Sequence, residues 1–172
     1  DLKLWGLFFI AFYFIMEFLP TLIAQYSEEH TSPEPDYLKE LVRETHLKVL
    51  MPRMLSGHLQ GRFLSMISYM LAPKRVLEIG TYTGYSALCL AEGLPSDGKI
   101  ITLDINEELE GIVTKYIQKG GFEDKIEYKT GNALEIIPTL QETWDLVFID
   151  ADKINYLEHY HLVFNQVRSG GW

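Results

Sequence analysis

At 172 residues the chain has the length of one domain, and 47% hydrophobic residues give it the apolar content for one core. With 24 acidic residues against 15 basic ones the formal net charge is −9, and no basic stripe relieves it, which counts against a nucleic-acid partner. The single cysteine, Cys89, has no partner for an internal disulfide; among Ala87, Leu88 and Leu90 it reads as a packed structural thiol.

Residues 4–16 form an apolar run that Glu17 and Pro20 end. At 13 residues it is shorter than the roughly 20 a membrane-spanning helix needs. Only Lys3 supplies positive charge and no small-x-small cleavage site follows, so a signal peptide and a firm membrane partner are not expected. The chain opens with Asp1, and Met16 reads as a native start; the residues before it are either extraneous or a hydrophobic arm that needs a partner surface. From 26 to 36 the composition turns polar and reads as a linker, with Ser32 as the cap and Pro33 as the first position of a helix. The expected division is therefore an arm and linker over 1–31 and a folded domain over 32–172.

Leu38, Leu41, Val42 and Val49 keep an apolar face up to Pro52. A second helix should start near Gly57, burying Leu59, Phe63, Met66, Ile67, Met70 and Leu71 and stopping at Pro73. These two helices are expected to cover a sheet. The run Val76, Leu77, Ile79, interrupted by Glu78, reads as a buried strand; Gly80 and Gly84 follow, and a helix starts at once over 85–92. A strand, a glycine-rich turn and a helix let backbone approach a ligand closely. The pattern is Glu-x-Gly-x-x-x-Gly rather than G-x-G-x-x-G, and Glu78 would repel phosphate, so the ligand is not expected to be held by phosphates.

Beyond Gly93 and the Pro95-Ser96-Asp97-Gly98 loop, a second strand over 99–104 ends in Asp104, 24 residues after Gly80. An acid at that tip accepts hydrogen bonds from both hydroxyls of a ribose. A nucleoside whose other end is cationic suits an acid-lined turn, and S-adenosylmethionine is such a molecule. Asn106 reads as the cap of the next helix, with Glu107 and Glu108 near its positive end and Lys115 and Lys119 near its negative end. A third strand over 126–130 precedes Asn132 and Glu135, spaced as a capping box. The apolar fourth strand, 146–149, has the composition of a parallel strand buried on both faces. It ends in Asp150-Ala151-Asp152-Lys153, from which a last helix should run to about Arg168. Alternating strands and helices imply right-handed crossovers and a parallel, doubly wound α/β sheet.

Two carboxylates and an amine at a strand tip are costly unless they bind something. Hard oxygens there suit Mg²⁺, Mn²⁺ or Ca²⁺. The alternative is that Asp152 only caps the helix and Lys153 is solvated. Of the histidines, His30, His46, His159 and His161 read as structural or solvated, and His58 as facing a substrate.

Four motifs together, Met54-x-Ser56, Leu77-Glu78-Ile79-Gly80-Thr81-Tyr82-Thr83-Gly84-Tyr85-Ser86, Gly131-Asn132-Ala133, and Phe148-Ile149-Asp150-Ala151-Asp152-Lys153 with Tyr156, give the chain from about Ser32 onward a family resemblance. It resembles the class I S-adenosylmethionine-dependent O-methyltransferases of the small metal-dependent type, which includes the caffeoyl-CoA and catechol enzymes. The resemblance implies a Rossmann-like fold with strand order 3-2-1-4 and a ligand crevice at the carboxyl ends of the strands. It implies cofactor contacts from Met54, Ser56, Glu78, Gly80, Tyr82, Ser86, Asp104, Asn132, Ala133, Asp150 and Asp152, with Ser86 at the cofactor's carboxylate and Asn132 and Ala133 at its adenine. By the same resemblance Asp150 is a metal ligand and Lys153 the general base, the two carrying catalysis. The implied activity is transfer of the methyl group of S-adenosylmethionine to a hydroxyl of a small catechol-like aromatic substrate with divalent-metal assistance, in the cytoplasm.

Against this stands a nucleoside-binding scaffold or partner-binding fragment without catalysis; a nicotinamide-dependent oxidoreductase is disfavoured by the absent G-x-G-x-x-G. Gly170-Gly171-Trp172 falls where the family would enter strand five, whose far end carries an Asp-Asn pair. Strands five to seven are accordingly expected to be missing, the metal site underfilled, and the open edge of strand four to favour a homodimer.

Overall fold

The computed structural model describes residues 20–172, so the apolar run over 4–16 and the reading of Met16 lie outside the described residues. Two compact units divide the chain, 1–32 and 33–172. In the first, helix α1 (Thr21–Glu29) continues through residues that polarity assigned to a linker. The polar side chains are satisfied along the helix itself: Ser27 Oγ donates to Ile23 O at 2.9 Å and Gln25 Nε2 to Glu29 Oε1 at 2.7 Å. No helix among the described residues is long and apolar enough to cross a membrane.

In the second unit α2 (Asp36–Lys48) starts behind Pro35, three residues later than the expected cap at Ser32. A residue before proline is driven out of the helical region, so Glu34 cannot continue a helix begun at Pro33. Its carboxylate instead accepts a hydrogen bond from the Tyr85 phenol. Helix α3 (Gly57–Leu71) has the expected span but packs differently. It lies on α4 (Tyr85–Ala91) through Gly61, Leu64, Ser65 and Ser68, and a Cβ on Gly61 would fall 2.4 Å from the Tyr85 ring. Small residues let the two backbones close up, and Glu92 clamps the pair, accepting from Arg62 Nη1 at 2.9 Å and Ser65 Oγ at 2.6 Å. Leu59, Phe63, Met66 and Met70, expected to be buried, are therefore exposed on the far side, Met70 by 77%.

Strands β1 (Arg75–Ile79), β2 (Lys99–Asp104), β3 (Ile126–Thr130) and β4 (Leu146–Ile149) form a parallel sheet in the order β3-β2-β1-β4, as expected. Val76 and Ile100 pack on one face with α2, α4 and α5 (Glu110–Gly120). Leu77, Ile79, Ile101 and Leu103 pack on the other with Ile137, Trp144 and Val163, where the short helix α6 (Ala133–Ile136) and α7 (Tyr156–Phe164) lie.

Helix α7 is shorter at both ends than the expected 153–168. Before it, the Asp152 carboxylate accepts the backbone N–H groups of Ile154 and Asn155 and the Asn155 amide, forming a turn that delays the helix. After it, Trp144 N–H donates to Gln166 O and Arg168 N–H to Trp144 O, which draws the chain off the helix to the β4 side. Val147 N–H then donates to Trp172 O at 2.9 Å, so the β4 edge, expected to be open, is paired at that point.

One buried acid ties the strand tips together. Glu78 stands opposite Thr102 in the register and is fully buried; its Oε2 accepts from the Thr102 hydroxyl and the carboxyl also binds the Ser86 hydroxyl, while Oε1 has no partner. Burial pushes its pKa up to about 7; the Ser86 and Thr102 hydrogen bonds oppose that rise, and the charges of Asp150 and Asp104 add to it. Between the ordinary value of 4.5 and about 7 the unfolded chain has lost this proton and the folded chain keeps it. Stability is therefore fully supported by this group below that window and falls as pH rises through it, by on the order of 3 kcal/mol. Denaturant titrations at pH 5 and pH 8 should show Glu78→Gln losing less stability than the wild-type chain over that interval; parallel losses would mean that Glu78 is already ionised at pH 5.

Candidate functional site

The carboxyl ends of the strands open into a cavity of about 510 Å³. Its floor is the turn after β1. Gly80 has φ +104° and a Cβ there would sit 2.6 Å from the Asp150 carbonyl oxygen, so the tips of β1 and β4 meet only because this residue is glycine. Gly80 N–H also donates to Leu103 O at 2.8 Å, which fixes the β2 tip to the same point.

Tyr82, two residues on, is left-handed at φ +49°. That conformation is costly for a side chain with a Cβ and occurs where surroundings enforce it. Here both ends of the residue are held. Its N–H donates to Asp104 Oδ2 at 2.6 Å, and its phenol donates to Leu50 O at 3.0 Å and Met51 O at 3.2 Å. Asn106 N–H holds the other carboxylate oxygen at 2.9 Å. Asp104 is thus oriented by two backbone amides, and the second lone pair on each oxygen is left for a ligand. The phenol brings residues 50–56 to the cavity, where Met51 is also left-handed at φ +61° and Met54 and Ser56 form part of the wall.

At another side of the cavity Asn132 caps α6, accepting the Leu134 N–H at 3.0 Å. Glu135 takes part as the expected spacing suggested, but through the Asn132 side-chain amide at 3.2 Å. Asp150 and Asp152 border the cavity in different states. Burial raises the Asp150 carboxyl above the ordinary range, against the nearby Lys153 charge and a hydrogen bond with the Tyr156 phenol. The Asp152 carboxyl is held below its ordinary range, chiefly by the Asn155 side-chain hydrogen bond.

Ten of the expected cofactor residues, Met54, Ser56, Gly80, Tyr82, Ser86, Asp104, Asn132, Ala133, Asp150 and Asp152, line this one cavity. Glu78 does not; it lies behind the wall and reaches the wall through Ser86. Lys153 is exposed outside the lining, close enough to Asp150 to act on its charge, and His58 is also outside it. No group of three or more His, Cys, Asp or Glu side chains among the described residues could hold a metal ion. With Asp152 bound into its turn, Asp150 is the carboxylate of the expected cluster left for one.

His159, read from the sequence as structural or solvated, borders the cavity and is 3% exposed. The signal was the interval of four from Asn155, which puts both on one side of α7.

Comparison with known proteins agrees with this architecture. The family described as O-methyltransferase matches residues 28–172. Caffeoyl-CoA O-methyltransferase 5 of Nicotiana tabacum is 40% identical over 144 residues, 80% of this chain and 60% of the relative, so the chain spans less than two thirds of that protein's length. Among solved structures, the O-methyltransferase from Bacillus cereus in complex with SAH superposes with a TM-score of 0.82 at 31% identity, covering 88% of this chain and 70% of the other. The SAH-bound methyltransferase of Podospora anserina gives a TM-score of 0.82 at 29% identity, over 89% and 69%. With a family match over nearly its whole described length and these folds superposed on its sheet, the chain belongs to the O-methyltransferase family.

Proposed function

We propose that residues 32–172 form the S-adenosylmethionine-binding part of an O-methyltransferase acting on a hydroxyl of a small, catechol-like aromatic substrate. The observation that carries this is Asp104, a carboxylate at the β2 tip fixed by the Tyr82 and Asn106 amides beside a turn with no phosphate-binding pattern. Such an acceptor suits the paired hydroxyls of a ribose. The SAH in the two solved relatives, the sulfide that remains once S-adenosylmethionine has given up its methyl, supports the choice of ligand.

On this reading Asp104 holds the ribose, Asn132 and Ala133 border the base, and the turn from Gly80 to Ser86 receives the amino-acid end. Bound there, S-adenosylmethionine would supply an electrophilic methyl on a sulfonium for the acceptor oxygen, with the sulfide as leaving group. Met54 and Ser56, drawn in by the Tyr82 phenol, narrow the cavity and help exclude water from the cationic end. We assign the acceptor's proton to the Asp150 carboxylate, which lines the cavity, with the Lys153 charge beside it. The acids of the described residues do not by themselves fit a Mg²⁺, Mn²⁺ or Ca²⁺ site, since such an ion asks for about six oxygens. The exposed stripe of Leu59, Phe63, Met66 and Met70 supports a homodimer, and a cytoplasmic setting completes the proposal.

Two measurements test it. Calorimetry on Asp104→Ala should show S-adenosylmethionine binding weakened by about 1.5 to 3 kcal/mol, the range for hydrogen bonds to a charged group; unchanged affinity would remove the ribose assignment. Incubation of the chain with S-adenosylmethionine and a catechol, with and without Mg²⁺, should yield a mono-methylated catechol. Tight cofactor binding with no product in either condition would favour a nucleoside-binding scaffold.

A further inference from the structure

Methyl transfer as derived above leaves His159 unused. Its ring borders the cavity, it is 3% exposed, and its Nδ1 is buried without a hydrogen-bond partner. An unmet buried polar atom costs about 1 to 3 kcal/mol, so a position that keeps one invites a ligand to satisfy it. The polar neighbours on this side of the cavity have other hydrogen-bond partners. Asp152 is bound to Ile154 and Asn155 and meets His159 only through its charge, and Asn132 is bound to Leu134 and Glu135. The His159 backbone N–H is taken up by Asn155 O at 2.9 Å, which fixes where the side chain leaves α7. Helix α7 packs against α6, which Asn132 caps, and His159 lines the same cavity as Asn132 and Ala133.

Resting on the cofactor reading above, we propose that His159 accepts a hydrogen bond from the exocyclic amine of the adenine and so selects for a 6-amino purine. A neutral imidazole has one acceptor nitrogen. The 6-amine is the donor an adenine offers on its base edge, whereas the ring nitrogens can only accept. His159 would then be a binding residue for the base, acting on cofactor choice and not on the methyl itself.

The test is a cycle between residue and ligand. Affinities of SAH and of its 6-deamino analogue, which has hydrogen in place of the amine, are measured by calorimetry on the wild-type chain and on His159→Phe. The wild type should prefer SAH by about three- to tenfold more than His159→Phe does, the range of one net hydrogen bond. His159→Gln, whose amide oxygen can accept from the amine, should restore part of that preference. A variant that loses affinity for both ligands equally would show a merely structural histidine and overturn the proposal. If His159→Phe fails to fold, nitrogen NMR of the wild-type imidazole decides: SAH should shift its ring nitrogens and the 6-deamino analogue should not, and equal shifts overturn the proposal. A wild-type chain that binds neither ligand overturns the cofactor reading, and this proposal with it.

Discussion

The cavity hangs on the close approach of three strand tips at Gly80. Its N–H binds Leu103 O on β2, Asp150 N–H binds Ile79 O just before it, and no room exists for a Cβ between β1 and β4. Because the chain leaves this point at φ +104°, it turns back over the sheet instead of continuing β1. The next non-glycine left-handed residue, Tyr82, follows from that path. Strain of this kind costs of order 1 to 3 kcal/mol per residue and persists only where other contacts hold it. At Tyr82 those contacts are the Asp104 carboxylate at one end and the Leu50 and Met51 carbonyls at the other. One glycine therefore sets the orientation of the acid at the β2 tip, and through the tyrosine it also sets the position of the 50–56 loop.

How much of this could be read from the sequence differs between strands and helices for a physical reason. Parallel strands buried on both faces are short apolar runs punctuated by glycine or acid, and β1, β2 and β4 lie where those runs fall, while β3, Ile-Glu-Tyr-Lys-Thr at the sheet edge, lies where apolar and polar residues alternate. Helix faces were harder. On α3 the apolar stripe of Phe63, Met66 and Met70 looks like a core face by periodicity, yet the seam with α4 is made of Gly61, Ser65 and Ser68. Backbones that approach closely need small residues, and hydrophobic periodicity is blind to such a seam. At α7 the start was misjudged because an acid three residues before Asn155 can cap a helix or form a turn, and the partners that decide lie within the turn itself. The cofactor residues were legible because they cluster at the strand ends, which the runs had located; Lys153 and Glu78, adjacent in sequence to wall residues, were carried along although their side chains do not line the wall.

The four acids at the strand tips show why a charge count is a poor description of this site. Glu78 is sealed among hydroxyls with one oxygen unmet, and its burial makes the neutral form the stable one up to near neutral pH. Asp104 has both oxygens held by backbone amides. Asp150 is raised by partial burial and answered by Lys153 and Tyr156, while Asp152 sits in water, bound into its own turn. Since like charges at these spacings oppose one another, the cluster can exist in the folded chain because one member keeps its proton and another is solvated. A cation in the cavity changes that balance. It lowers the cost of ionising Glu78 and Asp150 together, so its binding and the release of protons are linked, and the formal charge of −9 overstates what the free protein carries near neutral pH.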